Sequence, residues 1–303
     1  MYRQDNLAAA LLMIIAMAAF AVEDLFLKST AMSMSPGQVT SMTGAAGAVI
    51  FSLAARARGQ PTFSRKFLSA PVILRNLSEA GAAMLYMSAL ALIPLTLNVA
   101  ILQASPLVTT MGAALVLGER VGWRRWSAIG LGFAGVLVIL QPAGEGFRPP
   151  ALLTVGCVIV LAIRDLVTRA MPGDVGTLQL TTWAYASLVP AGWLLMLMDG
   201  SRAVAPEPWQ WAALAVALVS GIAGYYTITL SLRMGEISVV TPLRYTRLVF
   251  SAGLAMLFLA ERPDHAVIAG SAIVVLSGIY TFWREARSVR QRAKAFHTAR
   301  RNV

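Results

Sequence analysis

The chain has 303 residues, of which 57% are apolar and only 13% charged, and it carries a formal net charge of +11. A soluble domain is about 25% charged, so this composition excludes a single water-facing core and makes lipid the expected solvent. One cysteine, Cys157, and two histidines, His265 and His297, exclude an internal disulfide and a His/Cys zinc centre.

In chain order, apolar runs long enough to span a bilayer fall at Leu7–Leu27, Gly37–Ala55, Val72–Leu92, Leu95–Leu117 and Trp126–Leu140. A second set follows at Ala151–Val167, Thr177–Met198, Trp209–Leu232, Ile237–Leu259 and Ala266–Trp283. The first run is too long for a signal-peptide core, and Glu23 and Asp24 near its end are unlike a cleavage site. It is expected to be retained as a helix. With the N-terminus inside, nineteen Lys and Arg fall on the inner side and four on the outer, while Arg244 and Arg247 fall inside the ninth helix. That asymmetry predicts cytoplasmic ends and accounts for the positive charge without nucleic acid. The basic stretch from Arg284 to Arg301 is expected to touch anionic lipid.

The two sets of five echo one another. A shift of 141 lays Ala21-Val22-Glu23-Asp24-Leu25 on Ala162-Ile163-Arg164-Asp165-Leu166, and a shift of 142 lays Leu90 on Leu232 and Gly118-Glu119-Arg120 on Ala260-Glu261-Arg262. Five crossings is an odd number, so the second set enters the membrane from the opposite side. The expected fold is therefore all-α and polytopic, with ten transmembrane helices in two inverted-topology repeats. Alternating-access transporters use that arrangement to make two interconvertible states. The divisions are 1–147, 148–283 and a basic tail, 284–303.

The run Leu90-Ala91-Leu92-Ile93-Pro94, with Ser105-Pro106, Gly118-Glu119-Arg120, Trp123 and Gly130 to Gly135-Val136, resembles the EamA module. Its second copy ends in Glu261-Arg262 and Gly270 to Gly278. Together they resemble the ten-helix members of the drug/metabolite transporter superfamily, and among these the YddG-type amino-acid exporters. The resemblance covers nearly the whole chain and implies export of aromatic and other amino acids.

Ionisable groups inside a bilayer are expensive and should face a cavity or a partner. Arg244 and Arg247 share one face of the ninth helix with Val240 and Ser251. The repeat maps this stripe onto Asn98, Leu102, Ser105 and Thr109, so the fourth and ninth helices are expected to face each other across a central cavity. On the third helix Asn76, Glu79, Ala83 and Tyr86 run down one side. Glu79 lies at the depth of Arg244, which predicts an ion pair; the alternative is a bond to backbone or to Arg75, one turn earlier. Tyr225 is the repeat partner of Ala83, and it either stacks on a ligand or packs against a helix. Asp24 and Asp165 are repeat partners near opposite faces. They are either gate latches, with Lys28 and Arg169 nearby, or solvated helix ends. Gly44, Gly47, Gly81, Gly221 and Gly224 are expected to be packing contacts, and Pro106 and Pro242 are candidate kinks.

The expected function is secondary transport of amino acids or similar zwitterions out of the cell. Arg244 or Arg247 would meet the carboxylate, Glu79 or Asn76 the amino group, and Tyr86, Tyr225 and Tyr245 the side chain. Asn98 and Gln103 complete the polar lining. No ATP-binding loop is present, so a gradient must drive the cycle. The expected setting is a bacterial inner membrane, with lipid and a small substrate as partners and no cofactor. The same fold also suits nucleotide-sugar, lipid-linked or drug cargo. An intramembrane enzyme would need a metal or nucleophile cluster that the chain lacks.

Overall fold

A computed structural model describes residues 6–62, 64–118, 121–142, 144, 146–171, 176–235 and 237–301. Glu119 and Arg120 of the first motif lie outside the described residues, as do the side chains of Arg169 and of the tail beyond Arg284.

The described chain is all helical. The first repeat comprises α1 (Asn6–Ala31), α2 (Pro36–Ala57), α3 (Ala70–Leu92), α4 (Leu95–Leu102), α5 (Ser105–Val116) and α6 (Trp123–Leu140). The second comprises α7 (Ala151–Ala170), α8 (Thr177–Asp199), α9 (Pro208–Met234), α10 (Ile237–Val240), α11 (Thr246–Phe258) and α12 (His265–Arg301). Runs α4–α5 and α10–α11 are each one interrupted crossing, so the crossings number ten. Among the described residues, eight helical segments are long and apolar enough to span a membrane. The remaining crossings are α3 and the α10–α11 run, which carry Arg75 and Glu79, and Arg244 and Arg247.

Both interruptions have a local cause. Pro106 has no N–H to give Leu102, and its ring crowds that carbonyl, so the chain turns at Gln103-Ala104 before α5 starts. Pro242 acts likewise, and a 3-10 turn over Thr241–Tyr245 joins α10 to α11. Broken helices at mid-membrane expose backbone groups that only a cavity or neighbouring protein can serve.

Packing follows the repeat. Helix α1 lies along α9, and its image α7 lies along α3; α2 packs on α8, α6 on α12 and α4 on α11, each pair crossing the pseudo-twofold axis. Small residues permit the closest approaches. A methyl at Gly37 would strike the Gly192 carbonyl, and one at Gly270 would lie 2.6 Å from the Gly135 carbonyl. Outward-facing Leu11, Ile15, Leu197, Val249 and Leu257 are exposed, as a lipid-facing belt requires. Helix α12 runs well past the expected span: 37 residues rise about 55 Å, against a hydrocarbon core about 30 Å thick. Its tail therefore projects out of the membrane as helix.

One face is sealed, the face opposite the chain ends. Lys28, 8% exposed, donates to the carbonyls of Leu90 at 2.6 Å and Ile93 at 2.9 Å, which are otherwise orphaned at the C-terminal end of α3. Glu261 accepts from the Leu95 and Thr96 amides at 2.7 and 3.0 Å, capping the start of α4. Beneath these contacts Leu25, Met87, Leu90, Leu95, Val99 and Ala255 form a buried apolar plug drawn from both repeats.

Candidate functional site: a charged cavity between the repeats

Below the plug a cavity of about 790 Å³ is walled by α1, α2, α3, α5, α7, α8, α9 and α11. Its lining continues to Arg75, Arg125 and Thr168, near the ends of their helices on the face where the chain begins and ends, and to Phe282 of α12. This volume lies within the usual range for small-molecule sites.

Two ionic clusters stand on its walls. In the first, Asp24 of α1, only 1% exposed, receives Arg247 through Nε at 3.0 Å and through a second guanidinium nitrogen at 2.8 and 2.9 Å. Tyr86 donates its hydroxyl to the same carboxylate at 2.6 Å. The Arg247 guanidinium also lies 5.3 Å above the Phe20 ring. A fork of this kind makes Asp24 affordable at its depth. In the second cluster Arg164 of α7 bonds Glu79 at 3.1 and 3.3 Å and Asp165 at 2.7 Å, and Arg75 approaches Glu79 at 3.8 Å.

These partners correct several expectations. Glu79 pairs with Arg164 and Arg75, not Arg244, because depth along a helix does not say which neighbour is across from it. Asp24 sits in the cavity wall with Arg247 and not with Lys28; Asp165 pairs with its own neighbour Arg164, and its other expected cation, Arg169, has its side chain outside the described residues. Asn76 and Asn98 are buried outside the lining: Ser187 donates to the Asn76 carbonyl at 3.3 Å, and Thr154 donates to the Asn98 side-chain oxygen at 2.6 Å, tying the fourth crossing to α7. Arg75 and Arg164, two of the nineteen inner-side cations, line the cavity from within helices, and without them the asymmetry is still seventeen to four.

The cavity does gather Glu79, Tyr86, Gln103, Tyr225, Arg244, Tyr245 and Arg247. Gln103, at the break in the fourth crossing, donates to the Arg244 carbonyl at the break in the ninth at 3.5 Å. Arg244 itself is exposed to the void and has no carboxylate within ion-pair distance among the described residues. Tyr245 is 5% exposed and its ring abuts Gly278 of α12, which makes it chiefly a packing group. Tyr225 meets Phe51 edge-on at 6.4 Å, and Phe51 stacks on Tyr185 at 5.3 Å, so three rings form one wall.

Sequence reasoning missed Glu23, Phe20, Phe51, Tyr185 and Arg164 as lining groups. A signal existed for two of them, since Glu23 and Arg164 are repeat partners of opposite charge. No group of three or more metal-ligating side chains occurs among the described residues.

The sequence profile of the EamA-like transporter family matches residues 7–141 and again residues 148–283. A riboflavin transporter of Rhizobium johnstonii is 28% identical over 211 residues, 69% of this chain and 68% of its own. An S-adenosylmethionine uptake transporter of Rickettsia prowazekii is 26% identical, covering 66% of this chain and 67% of its own. A pseudopaline exporter of Pseudomonas aeruginosa is 25% identical over 90% of this chain and 95% of its own. A solved crystal structure at 22% identity superposes with a TM-score of 0.65 over 93% of this chain and 98% of the other, which identifies a shared fold.

Proposed function

The chain belongs to the EamA-like transporter family, and from that premise we propose that it moves amino acids or closely similar small metabolites by alternating access, exporting them across a bacterial inner membrane. The observation that carries this reading is a single one. A cavity of about 790 Å³ lies between two inverted five-crossing modules, walled by charged groups and aromatic rings and sealed on one face. In this reading residues 1–147 and 148–283 rock against each other, the chain ends are cytoplasmic, and the basic tail 284–303 touches anionic lipid as it leaves the membrane. The protein does no covalent chemistry, and a gradient supplies the energy.

The relatives are named for differing cargoes and for both uptake and export, so kinship does not fix the substrate. The wall of Tyr185, Phe51 and Tyr225 favours a cargo with a flat or apolar end. It equally supports a second reading, a larger heteroaromatic metabolite of the kind named for the riboflavin transporters.

Counterflow into liposomes with alanine, phenylalanine and riboflavin separates these readings. Phenylalanine exchange above alanine supports the amino-acid reading; riboflavin exchange alone supports the second. Because an aromatic contact is worth about 0.5–1.5 kcal/mol, Tyr225→Ala should weaken phenylalanine about three- to tenfold and alanine less. An unchanged phenylalanine-to-alanine ratio would remove Tyr225 from the binding surface.

A further inference from the structure

We infer that Glu23 and Arg244 form a two-point site for a dipolar cargo, Glu23 receiving its cationic end and Arg244 its anionic end. The inference rests on the transporter reading and adds the residues that recognise each charge.

The argument begins with a broken symmetry. Helices α1 and α9 make the same contact as α7 and α3, related by the repeat. On the α3–α7 side that contact is the ion pair of Glu79 with Arg164 at 3.1 Å. The repeat lays Arg164 on Glu23 and Glu79 on Gly221. Glu23 does face Gly221: a methyl there would lie 2.5 Å from one carboxylate oxygen. Where one side of the protein has a cation opposite an anion, the other has an anion opposite no side chain.

Every other carboxylate in the lining is held. Asp24 has Arg247 and Tyr86, Glu79 has Arg164 and Arg75, and Asp165 has Arg164. Glu23 lines the cavity and, among the described residues, makes no hydrogen bond or ion pair. Asp24 beside it repels a negative charge on Glu23, and Arg247, which attracts it at longer range, is engaged with Asp24. A membrane-embedded charge without a protein partner is retained where a cavity or its ligand serves it. Arg244 is the complementary case. Its repeat partner is Leu102, and its guanidinium faces the void without a carboxylate. Both groups line the same void, so a ligand that carries an ammonium and a carboxylate meets a protein group of opposite sign for each. One with a single charge leaves the other group unserved.

The test uses purified full-length protein and three probes: phenethylamine (cation only), hydrocinnamate (anion only) and phenylalanine. Binding is read as thermal stabilisation in detergent and, for phenylalanine, also as counterflow in liposomes. Glu23→Gln should weaken phenethylamine and phenylalanine about tenfold or more while leaving hydrocinnamate within about twofold. Arg244→Gln should weaken hydrocinnamate and phenylalanine and leave phenethylamine within about twofold, and Glu23→Asp, which keeps the charge, should retain part of the phenethylamine affinity. Failure of the wild-type protein to bind phenethylamine at saturating concentration, or equal binding by Glu23→Gln, overturns the inference. If phenethylamine binds through Glu23 but no amino acid is carried, the cation subsite stands and the amino-acid reading falls. If phenylalanine is carried and Glu23→Gln leaves it unchanged, the subsite falls and the transport reading stands.

Discussion

Asp24 shows how a carboxylate survives in the middle of a membrane protein. Its side chain is 2% exposed, and its two oxygens are met by the Arg247 fork and the Tyr86 hydroxyl. Arg247→Ala should leave that charge with Tyr86 alone, and breaking one side of such a buried pair costs about 3–5 kcal/mol. Asp24→Asn combined with Arg247→Ala should recover part of the loss. Strict additivity in denaturation of the purified variants would show that the two residues do not act as a pair. The same cycle between Glu79 and Arg244 should be additive, since Glu79 is held by Arg164. Which of these partners the sequence announces follows from geometry. Helical spacing places Glu79, Tyr86, Arg244 and Arg247 on cavity-facing sides, and all four do line the cavity. It says nothing about which helix stands opposite, so the Glu79–Arg244 pair was a guess about tertiary neighbours. Glu23 was overlooked for a related reason. It adjoins Asp24 but projects about 100° around the helix from it, and only the packing of α1 on α9 shows that Gly221 leaves it open.

Helix ends were more legible than helix interiors. Gly118 and Ala260, the first residues of the repeated motif, follow α5 and α11, and both have a positive φ, 68° and 53°. Glycine adopts this conformation without strain, whereas an alanine Cβ crowds the following carbonyl at a cost of about 1–2 kcal/mol. The turn at Ala260 delivers Glu261 onto the amides of Leu95 and Thr96, so its strain is offset by the cap it positions. Ala260→Gly should therefore raise stability by about 0.5–1 kcal/mol net of the glycine's extra unfolded-state freedom. Gly118→Ala, with open space around the new methyl, should lower it by about 1 kcal/mol through the backbone alone. Thermal unfolding in detergent checks both, and a loss of stability in Ala260→Gly would contradict the strain. The breaks in the fourth and ninth crossings were equally readable, because Pro106 and Pro242 remove donors that an unbroken helix needs. The bend sites were thus visible in the sequence. What each bend places in contact, Gln103 against the Arg244 carbonyl, was not, because that depends on two distant segments meeting.

The whole molecule is asymmetric in a way that its two similar halves are not. Helix α1 touches α3 near the sealed face, through Lys28 and the carbonyls of Leu90 and Ile93. The equivalent approach of α7 to α9 at the other face is not among the main helix contacts. Under the alternating-access mechanism proposed above, an inverted repeat that is closed at one such contact and open at the other is half of a cycle whose second half exchanges the roles of the two modules. The seal is then an energetic switch with a definable weight. Hydrogen bonds from a charged donor contribute about 1.5–3 kcal/mol each, so replacing Lys28 by the similarly sized, uncharged methionine should shift the closed-to-open ratio of that face about tenfold or more. Leu25→Cys, within the apolar plug, reports the change, because the native Cys157 is 1% exposed. A membrane-impermeant thiol reagent added from the sealed face should label Leu25→Cys about tenfold faster when Lys28→Met is also present. Glu261→Gln should act in the same direction but more weakly, since the neutral amide can still accept from the two α4 amides. Equal labelling rates with and without Lys28 would mean that the plug alone holds the face shut and that Lys28 merely caps α3.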